Sequence, residues 1–298
     1  MSVTHKGQHL EGSPLWLEVV DPEVLDDRIP TLQIGSEGSD DGQFSSPCSV
    51  ACNSREEIVV ADSDNYRIQV FDRNGKFLFK FGFNGNGNGQ FDVPCGVTVD
   101  QRNNQIVVAD TFNHRIQIFD EKGTFLRVIG SEGNGEGQFA RPFGVVVDQQ
   151  GKYVVAELGN HRIQILNSQG QFVRKFGSKG AENGQINSPI GVGLLSNGNI
   201  VVSENGGNRL QIFDFEGNFV RIVGARRLRY PWHICVDSED NIMVADSDNH
   251  RIQVFHQNGN HIKTIKTGQL SYPYGVCLDR EGRIIVSEGD GAHRISIF

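Results

Sequence analysis

Arginines and aromatic residues alternate in one short segment of this 298-residue chain, GARRLRYPWH at residues 224–233. SYPYG at residues 271–275 and ARPFG at residues 140–144 repeat part of this combination around a proline. Guanidinium groups bind phosphates in a bidentate manner and aromatic rings stack on unpaired bases, so the mixture suits single-stranded or hairpin RNA. The candidate binding residues are Arg141, Phe143, Arg226, Arg227, Arg229, Tyr230, Trp232, His233, Tyr272 and Tyr274.

The same composition leaves two alternatives open. Tryptophan, tyrosine and arginine are also enriched in the hot spots of protein–protein interfaces, so the ligand can equally be a protein. In the other alternative, the rings fill the centre of the fold and the arginines are merely solvated. RNA is the favoured ligand, because two or three stacked bases at roughly 1–3 kcal/mol each, with phosphate contacts, would give roughly micromolar or tighter affinity.

Catalysis and metal binding find little support. His233 is the one obvious metal ligand among the residues expected at the centre of the fold, and a single imidazole cannot hold a catalytic metal. No GxSxG, HExxH or P-loop string is present. The five cysteines are an odd number without CxxC spacing, which indicates reduced, buried thiols and a cytoplasmic location. The sequence therefore predicts no enzyme activity, cofactor, metal site or small-molecule substrate.

Charge and hydropathy limit the remaining functions. The formal net charge is −8, which taken alone disfavours nucleic acid. Residues 1–27 contain six acids and one lysine, so residues 28–298 carry a net charge of only −3 and can still present a basic surface. No apolar run approaches the roughly 18 residues of a membrane span, so no membrane association is expected.

The arginine-rich and aromatic segments fall at one position of an internal repeat. ADSDNHRIQVF at residues 245–255 nearly duplicates ADSDNYRIQVF at residues 61–71. The arginine of this string recurs at intervals of 42 to 48 residues, each time 20 or 21 residues after a proline. The six arginines are Arg67, Arg115, Arg162, Arg209, Arg251 and Arg294. A fixed period of this length is typical of solenoids and propellers.

Each repeat predicts four short antiparallel strands, because apolar residues alternate in runs separated by Gly, Asn and Asp. Six such repeats predict an all-β, six-bladed β-propeller. The last repeat reaches Phe298 after only three strands, and TLQIG at residues 31–35 has the spacing of a fourth strand. We therefore expect residues 28–35 to pair with the last blade and close the ring, which also removes an exposed sheet edge.

Residues that recur in every blade are expected to build the blade. An acid five or six residues before each repeated arginine predicts a charge pair across the loop between strands two and three. The recurring histidines His114, His161, His250 and His293 fall on different blades and are also predicted to be structural. Binding is instead expected on the face where these loops meet the linkers that precede each first strand, because those segments are longer and more variable.

With these features in place, the repeat P-x-G-V-x-V-D … I-V-V-A-D-x-x-N-H-R-I-Q-V-F resembles the NHL repeat, and the resemblance covers residues 28–298. HKGQHLEGSPLWLEV at residues 5–19 resembles the last strands of a filamin-type immunoglobulin-like domain. We therefore divide the chain into a leader with a linker, residues 1–27, and an NHL propeller, residues 28–298. A filamin-type domain before an NHL propeller is similar to the arrangement in TRIM-NHL proteins.

The resemblance implies two functions. Some TRIM-NHL propellers bind single-stranded or hairpin RNA and repress the bound messages, which implies a module for post-transcriptional regulation of mRNAs. In other members the propeller is a platform that recruits partners or substrates for ubiquitin ligation by upstream RING-containing domains. In neither case is the propeller itself catalytic.

Overall fold

The computed structural model describes residues 25–266 and 270–298, and its elements are short β-strands with two 3-10 turns, Ser63–Asn65 and Ser247–Asn249. In chain order the strands are β1 (Leu25–Asp26), β2 (Leu32–Ile34), β3 (Pro47–Cys52), β4 (Ile58–Asp62), β5 (Arg67–Phe71), β6 (Phe77–Phe81), β7 (Pro94–Asp100), β8 (Gln105–Asp110), β9 (Arg115–Phe119), β10 (Phe125–Ile129), β11 (Pro142–Val147), β12 (Tyr153–Glu157), β13 (Arg162–Leu166), β14 (Phe172–Phe176), β15 (Pro189–Leu194), β16 (Ile200–Glu204), β17 (Arg209–Phe213), β18 (Phe219–Val223), β19 (Pro231–Val236), β20 (Asn241–Asp246), β21 (Arg251–His256), β22 (His261–Ile265), β23 (Pro273–Leu278), β24 (Ile284–Glu288) and β25 (Arg294–Ile297).

These strands form six antiparallel blades. Strands β3–β6 form blade 1, β7–β10 blade 2, β11–β14 blade 3, β15–β18 blade 4 and β19–β22 blade 5. Blade 6 consists of β23–β25 and β2. The innermost strands of successive blades contact one another, and β23 contacts β3, so the blades form a complete ring. The predicted six-bladed β-propeller is confirmed.

The ring is closed by the N-terminal strand, as predicted. Strand β2 pairs with β25 in the register Gln33↔Ser296, and the N–H of Thr31 donates to the carbonyl of Ile297 at 2.7 Å. The short strand β1 adds a parallel pairing to the outer strand of blade 5, although the sequence placed its residues in the leader. The filamin-like part of that leader lies outside the described residues.

Local sequence explains the hairpins within each blade. In the turn after β5, Asp72 accepts the backbone N–H groups of Asn74 and Lys76 through Oδ1 at 2.8 and 2.9 Å. Gly75 completes this turn with φ of 81°, a left-handed conformation that glycine adopts without a steric penalty. Similar Asp-x-x-Gly or Asn-x-x-Gly turns connect strands on one face of the ring, which we call the lower face.

Apolar side chains fill the space between neighbouring blades, where full burial of each large side chain contributes about 1.5–3 kcal/mol. Val70 of blade 1 and Val108 of blade 2, for example, lie in one buried cluster. The innermost strands approach closely at glycines: a Cβ on Gly96 or Gly144 would lie 2.0 or 2.3 Å from the facing carbonyl oxygen. These glycines therefore determine how tightly the ring closes.

The predicted charge pairs are present in all six blades, with the arginine Nε 2.6 to 2.9 Å from a carboxylate oxygen. The pairs are Arg67–Asp62, Arg115–Asp110, Arg162–Glu157, Arg209–Glu204, Arg251–Asp246 and Arg294–Glu288. In blade 1 the guanidinium group also donates to the carbonyls of Ser39 and Asp40, at 2.7 and 2.8 Å. Each pair thus fixes the linker to the blade that follows it.

Candidate ligand-binding face

The linkers between blades and the loops between second and third strands lie together on one side of the ring, which we call the upper face. In blade 1, Asp62 accepts the backbone N–H of Ser45 at 2.7 Å and thereby joins the strand to the linker. Asn65 of the same loop donates to the carbonyl of Gly38 at 2.8 Å. The repeated polar residues therefore organise the upper face and leave the variable positions available for ligands.

One variable position stands out in every blade: the residue before the first-strand proline adopts a left-handed conformation, with φ between 42° and 56°. These residues are Ser46, Val93, Arg141, Ser188, Tyr230 and Tyr272. Left-handed backbone is uncommon for residues other than glycine and persists only when the surroundings hold it. The left-handed backbone is thus part of the repeat, whereas the side chains at these six points differ from blade to blade and are candidates for ligand contact.

The recurring histidines hold this ring in place. Nδ1 of His114 accepts the backbone N–H of Arg141 at 3.0 Å, and Nδ1 of His250 accepts that of Tyr272 at 3.1 Å. In blade 4, where Asn208 takes the place of histidine, its Oδ1 accepts the N–H of Tyr230 at 2.8 Å. In five of the six blades this side chain therefore positions the residue before the next blade's proline, so the histidines have a structural role, as the sequence predicts.

The blade 5 linker owes its arginine cluster to a tight turn. The N–H of Leu228 donates to the carbonyl of Gly224 at 3.3 Å, and the Leu228 side chain is buried in the core between blades. Anchored in this way, Arg226 and Arg229 are exposed on either side of Leu228, and Arg227 is half-buried. Arg229 Nε lies 3.4 Å from Asp248 Oδ2, an exposed pairing that costs a ligand little to displace.

The aromatic candidates separate into exposed and buried groups. Tyr230 and Tyr272 are 49% and 37% exposed, and the Tyr272 ring contacts the His250 ring edge-to-face at 4.4 Å. Phe143 and Tyr274 are buried in the upper end of the central channel. Half-buried Trp232 stacks on Tyr274 with 3.9 Å between ring centroids and also contacts Phe143 edge-to-face at 5.4 Å, so it belongs with the buried group.

The structure adds one residue that sequence reasoning missed. Phe112, in the second-to-third-strand loop of blade 2, is 44% exposed, and the guanidinium carbon of Arg141 lies 5.1 Å from its ring centroid. This cation–π contact joins residues from two blades. The available signal was the phenylalanine in TFNH, where blades 1 and 5 have aspartate.

His233 has a different environment from the other candidates. Its ring lies 5.9 Å from that of Phe143, its Nε2 is buried without a hydrogen-bond partner, and burial lowers its pKa from 6.5 to about 4. The imidazole is therefore neutral at pH 7. Within the described ranges 25–266 and 270–298, no three metal-ligating side chains are grouped to hold an ion.

Acid is expected to destabilise the protein through His233. The unfolded chain takes up a proton below pH 6.5 while the folded imidazole remains neutral until about pH 4, so this contribution is lost as the pH falls between these values. The loss amounts to about 3 kcal/mol. Urea unfolding at several pH values should show it, and His233→Gly, the residue present in four other blades, should flatten this part of the pH profile. Parallel profiles for the two proteins would contradict the expectation.

Comparisons with known proteins agree with this architecture. The NHL repeat family matches residues 187–213 and 228–255, and a 6-bladed beta-propeller family matches residues 36–117 and 98–156. The chain is thus a six-bladed β-propeller that contains NHL repeats in these two segments. Its curated relatives are TRIM-NHL proteins.

Three of these relatives show the extent of the similarity. Protein brain tumor of Drosophila melanogaster is 42% identical over 22% of this chain and 6% of its own length. Protein lin-41 of Caenorhabditis elegans is 36% identical over 27% of the chain and 7% of its own length. E3 ubiquitin-protein ligase TRIM71 of Bos taurus is 41% identical over 27% of the chain and 9% of its own length. The matched segments therefore span less than a tenth of each relative.

Solved structures share the fold at low sequence identity. A gluconolactonase from Xanthomonas campestris has a TM-score of 0.68 and 15% identity, covering 93% of this chain and 98% of its own. Virginiamycin B lyase from Staphylococcus aureus has a TM-score of 0.63 and 14% identity, and the match covers 89% of this chain and 94% of the lyase chain. Such identities establish the propeller fold alone. Within the part of the chain that the structure describes, no helix has the length and apolar character needed to span a membrane.

Proposed function

We propose that the upper face binds single-stranded or hairpin RNA and that the chain is a module for post-transcriptional regulation of mRNAs. The observation that carries this proposal is the exposed cluster of Arg226, Arg229, Tyr230 and Tyr272 at the junction of blades 5 and 6. Guanidinium groups and exposed rings at one place can bind phosphates and stack on bases at the same time. Buried Phe143, His233 and Tyr274 serve in this proposal as the support beneath that cluster.

The charge distribution supports a localised site. Glu132 lies beside His114 on the upper face, and exposed acids in the blade 1 linker include Asp40 and Asp41. Such acids repel a polyanion, whereas the blade 5 arginines attract it. Arg141 over Phe112 offers a second combination of positive charge and ring across the channel. An RNA strand is therefore expected to run from blades 5 and 6 toward blade 3.

Selection of bound RNAs from a random pool tests the proposal. The chain is expected to enrich one motif or hairpin, with log affinity falling linearly against log salt because phosphate contacts release counterions. Arg226→Ala/Arg227→Ala/Arg229→Ala should lose the enrichment, and the salt slope should drop by about 1 for each lost phosphate contact.

A matched triple variant controls for net charge. Lys76, Lys122 and Arg280 are exposed in turns of the lower face, so replacing them with alanine changes the charge equally and should leave RNA binding intact. Equal weakening by both triple variants would show a diffuse charge effect rather than a site. Absence of any enrichment at moderate salt would reject RNA as the ligand.

A protein ligand is the second candidate, favoured by the exposed apolar surface of Phe112, Tyr230 and Tyr272 on the same face. Here the propeller recruits partners or substrates for ubiquitin ligation by domains upstream of it. A partner that co-purifies after nuclease treatment and is lost with Trp232→Ala would support this function. Recovery of nuclease-sensitive partners only would count against it.

The proposal includes the organisation and location of the protein. Residues 28–298 act as the binding module, and residues 1–27 are a leader that resembles the end of a filamin-type domain, followed by a linker, as in a TRIM-NHL arrangement. All five cysteines are free thiols, which supports a cytoplasmic site of action.

A further inference from the structure

Two cysteines meet where the ring closes. Cys52 lies at the end of β3 in blade 1, Cys277 lies in β23 of blade 6, and their Sγ atoms are 3.7 Å apart. The two residues are separated by 225 positions in the chain but belong to neighbouring innermost strands. This thiol pair therefore spans the interface between the first and last blades.

A small reagent can reach the pair from the central channel. A cavity of about 280 Å³ runs along the innermost strands, and both thiols belong to residues that line it. Cys52 is half-buried, whereas Cys277 is 9% exposed. The rest of the lining near the pair is mainly apolar, including Val236 and Leu278. The cavity therefore admits a small neutral oxidant more readily than a charged thiol reagent.

The Cys277 thiol is held in its protonated form. The hydrogen bond with Cys52, together with burial, raises the pKa of the Cys277 thiol well above its usual range. Cys277 therefore keeps its proton and can donate it to the Cys52 sulfur, and Cys52 is the more exposed of the two to a reagent in the cavity. A thiolate with a neighbouring thiol is the usual arrangement for oxidation followed by disulfide formation.

We propose that Cys52 and Cys277 form an oxidisable dithiol, which hydrogen peroxide converts into a disulfide that closes the propeller covalently. The Cys52 thiolate attacks one peroxide oxygen, the O–O bond breaks, and protonation of the leaving oxygen gives water and a sulfenic acid on Cys52. The Cys277 sulfur then attacks the Cys52 sulfur, and its proton leaves with the hydroxyl group as a second water. The two sulfurs are oxidised and the peroxide is reduced, so atoms and electrons balance.

The required movement is small. An S–S bond of about 2.04 Å needs the two sulfurs, which are 3.7 Å apart, to approach by about 1.7 Å. The resulting loop would include most of the propeller, and a disulfide that closes a long loop stabilises chiefly by restricting the unfolded chain. Oxidation is therefore expected to strengthen the closure that β2 and β25 otherwise maintain through hydrogen bonds.

The chain provides its own controls. Cys48 of blade 1 and Cys95 of blade 2 are a second pair of neighbouring cysteines, but both are buried in one cluster with Phe143 and do not line the channel cavity. Cys235 also lines the cavity, and its thiol donates to the carbonyl of Val236 at 3.9 Å instead of to another sulfur. Cys52 and Cys277 thus both line the channel cavity and contact each other through their thiols.

Peroxide treatment of the reduced, folded chain tests the proposal. Peptide mapping by mass spectrometry should show a Cys52–Cys277 crosslink with loss of two hydrogens, and the melting temperature should rise by roughly 5–10 °C. Dithiothreitol should reverse both changes. Cys52→Ser and Cys277→Ser should abolish them, whereas Cys235→Ser and the double variant Cys48→Ser/Cys95→Ser should retain them.

Peptide mapping of the peroxide-treated chain without substitutions tests the proposal even if a cysteine variant folds poorly. A crosslink between other cysteines, or oxidation of Cys52 beyond sulfenic acid without a crosslink, would overturn the proposal. The same holds for a correct crosslink that leaves the melting temperature unchanged, because closure would then gain nothing from it.

Discussion

Asp62→Ala is expected to lower the free energy of unfolding by about 3–5 kcal/mol, because it leaves a buried guanidinium group without its counter-charge. Asp62 is fully buried, and its carboxylate accepts from Arg67, Gln69, Asn65 and the backbone of Ser45 at 2.7 to 3.1 Å. Burial raises the pKa of this carboxyl group and those donors oppose the rise, so the charge depends on them. Denaturant unfolding measures the loss.

An exposed ion pair is the matched control. Asp41 lies 2.7 Å from Lys80, and the two side chains are 55% and 43% exposed, so Asp41→Ala should change the free energy of unfolding by less than about 1 kcal/mol. Similar decreases in the free energy of unfolding for Asp41→Ala and Asp62→Ala would contradict the prediction, because the buried network would then stabilise the fold no more than an exposed ion pair does.

Tyr230→Ala/Tyr272→Ala is expected to weaken RNA binding by roughly 2–6 kcal/mol, at least a thirtyfold loss of affinity, if each ring stacks on one base. Both tyrosines are exposed and held in left-handed backbone by Asn208 and His250, so the rings are pre-positioned for stacking. Fluorescence titration with the selected RNA measures the change.

Two further variants separate stacking from other effects. Tyr230→Phe/Tyr272→Phe keeps both rings and should bind within a fewfold of the natural sequence. Phe83→Ala removes a ring that is 61% exposed outside the cluster and should have no effect on binding. Equal losses for the alanine and phenylalanine pairs would indicate hydroxyl contacts instead of stacking.

The propeller could be predicted from the sequence because each blade repeats the same local signals. The Asp62–Arg67 pair and the Asp72 turn depend on residues within a few positions of each other, so their spacing determines their geometry. Closure of the ring could also be predicted, because the last repeat has three strands and residues 31–35 have the pattern of the fourth.

The candidate site could be predicted only in part, because burial there depends on contacts between blades. Tyr272 and Tyr274 are two residues apart, yet one is exposed and the other is stacked beneath Trp232 in the channel. The left-handed backbone at Tyr272 also depends on His250, which belongs to the preceding blade. Likewise, Phe112 gains significance only from its contact with Arg141 of the next blade.

Closure by β2 also has a consequence for synthesis of the chain. Gln33 and its partner Ser296 are 263 positions apart, and a ribosome adding about 5–20 residues per second would separate their appearance by about 10–50 s. During that interval the blades at the two ends of the growing arc each have a neighbour on one side only, and β2 has no partner. The nascent ring is therefore an open arc whose two unpaired edges are exposed together until the last strand is made. Chaperones that cover strand edges would be most valuable in this period.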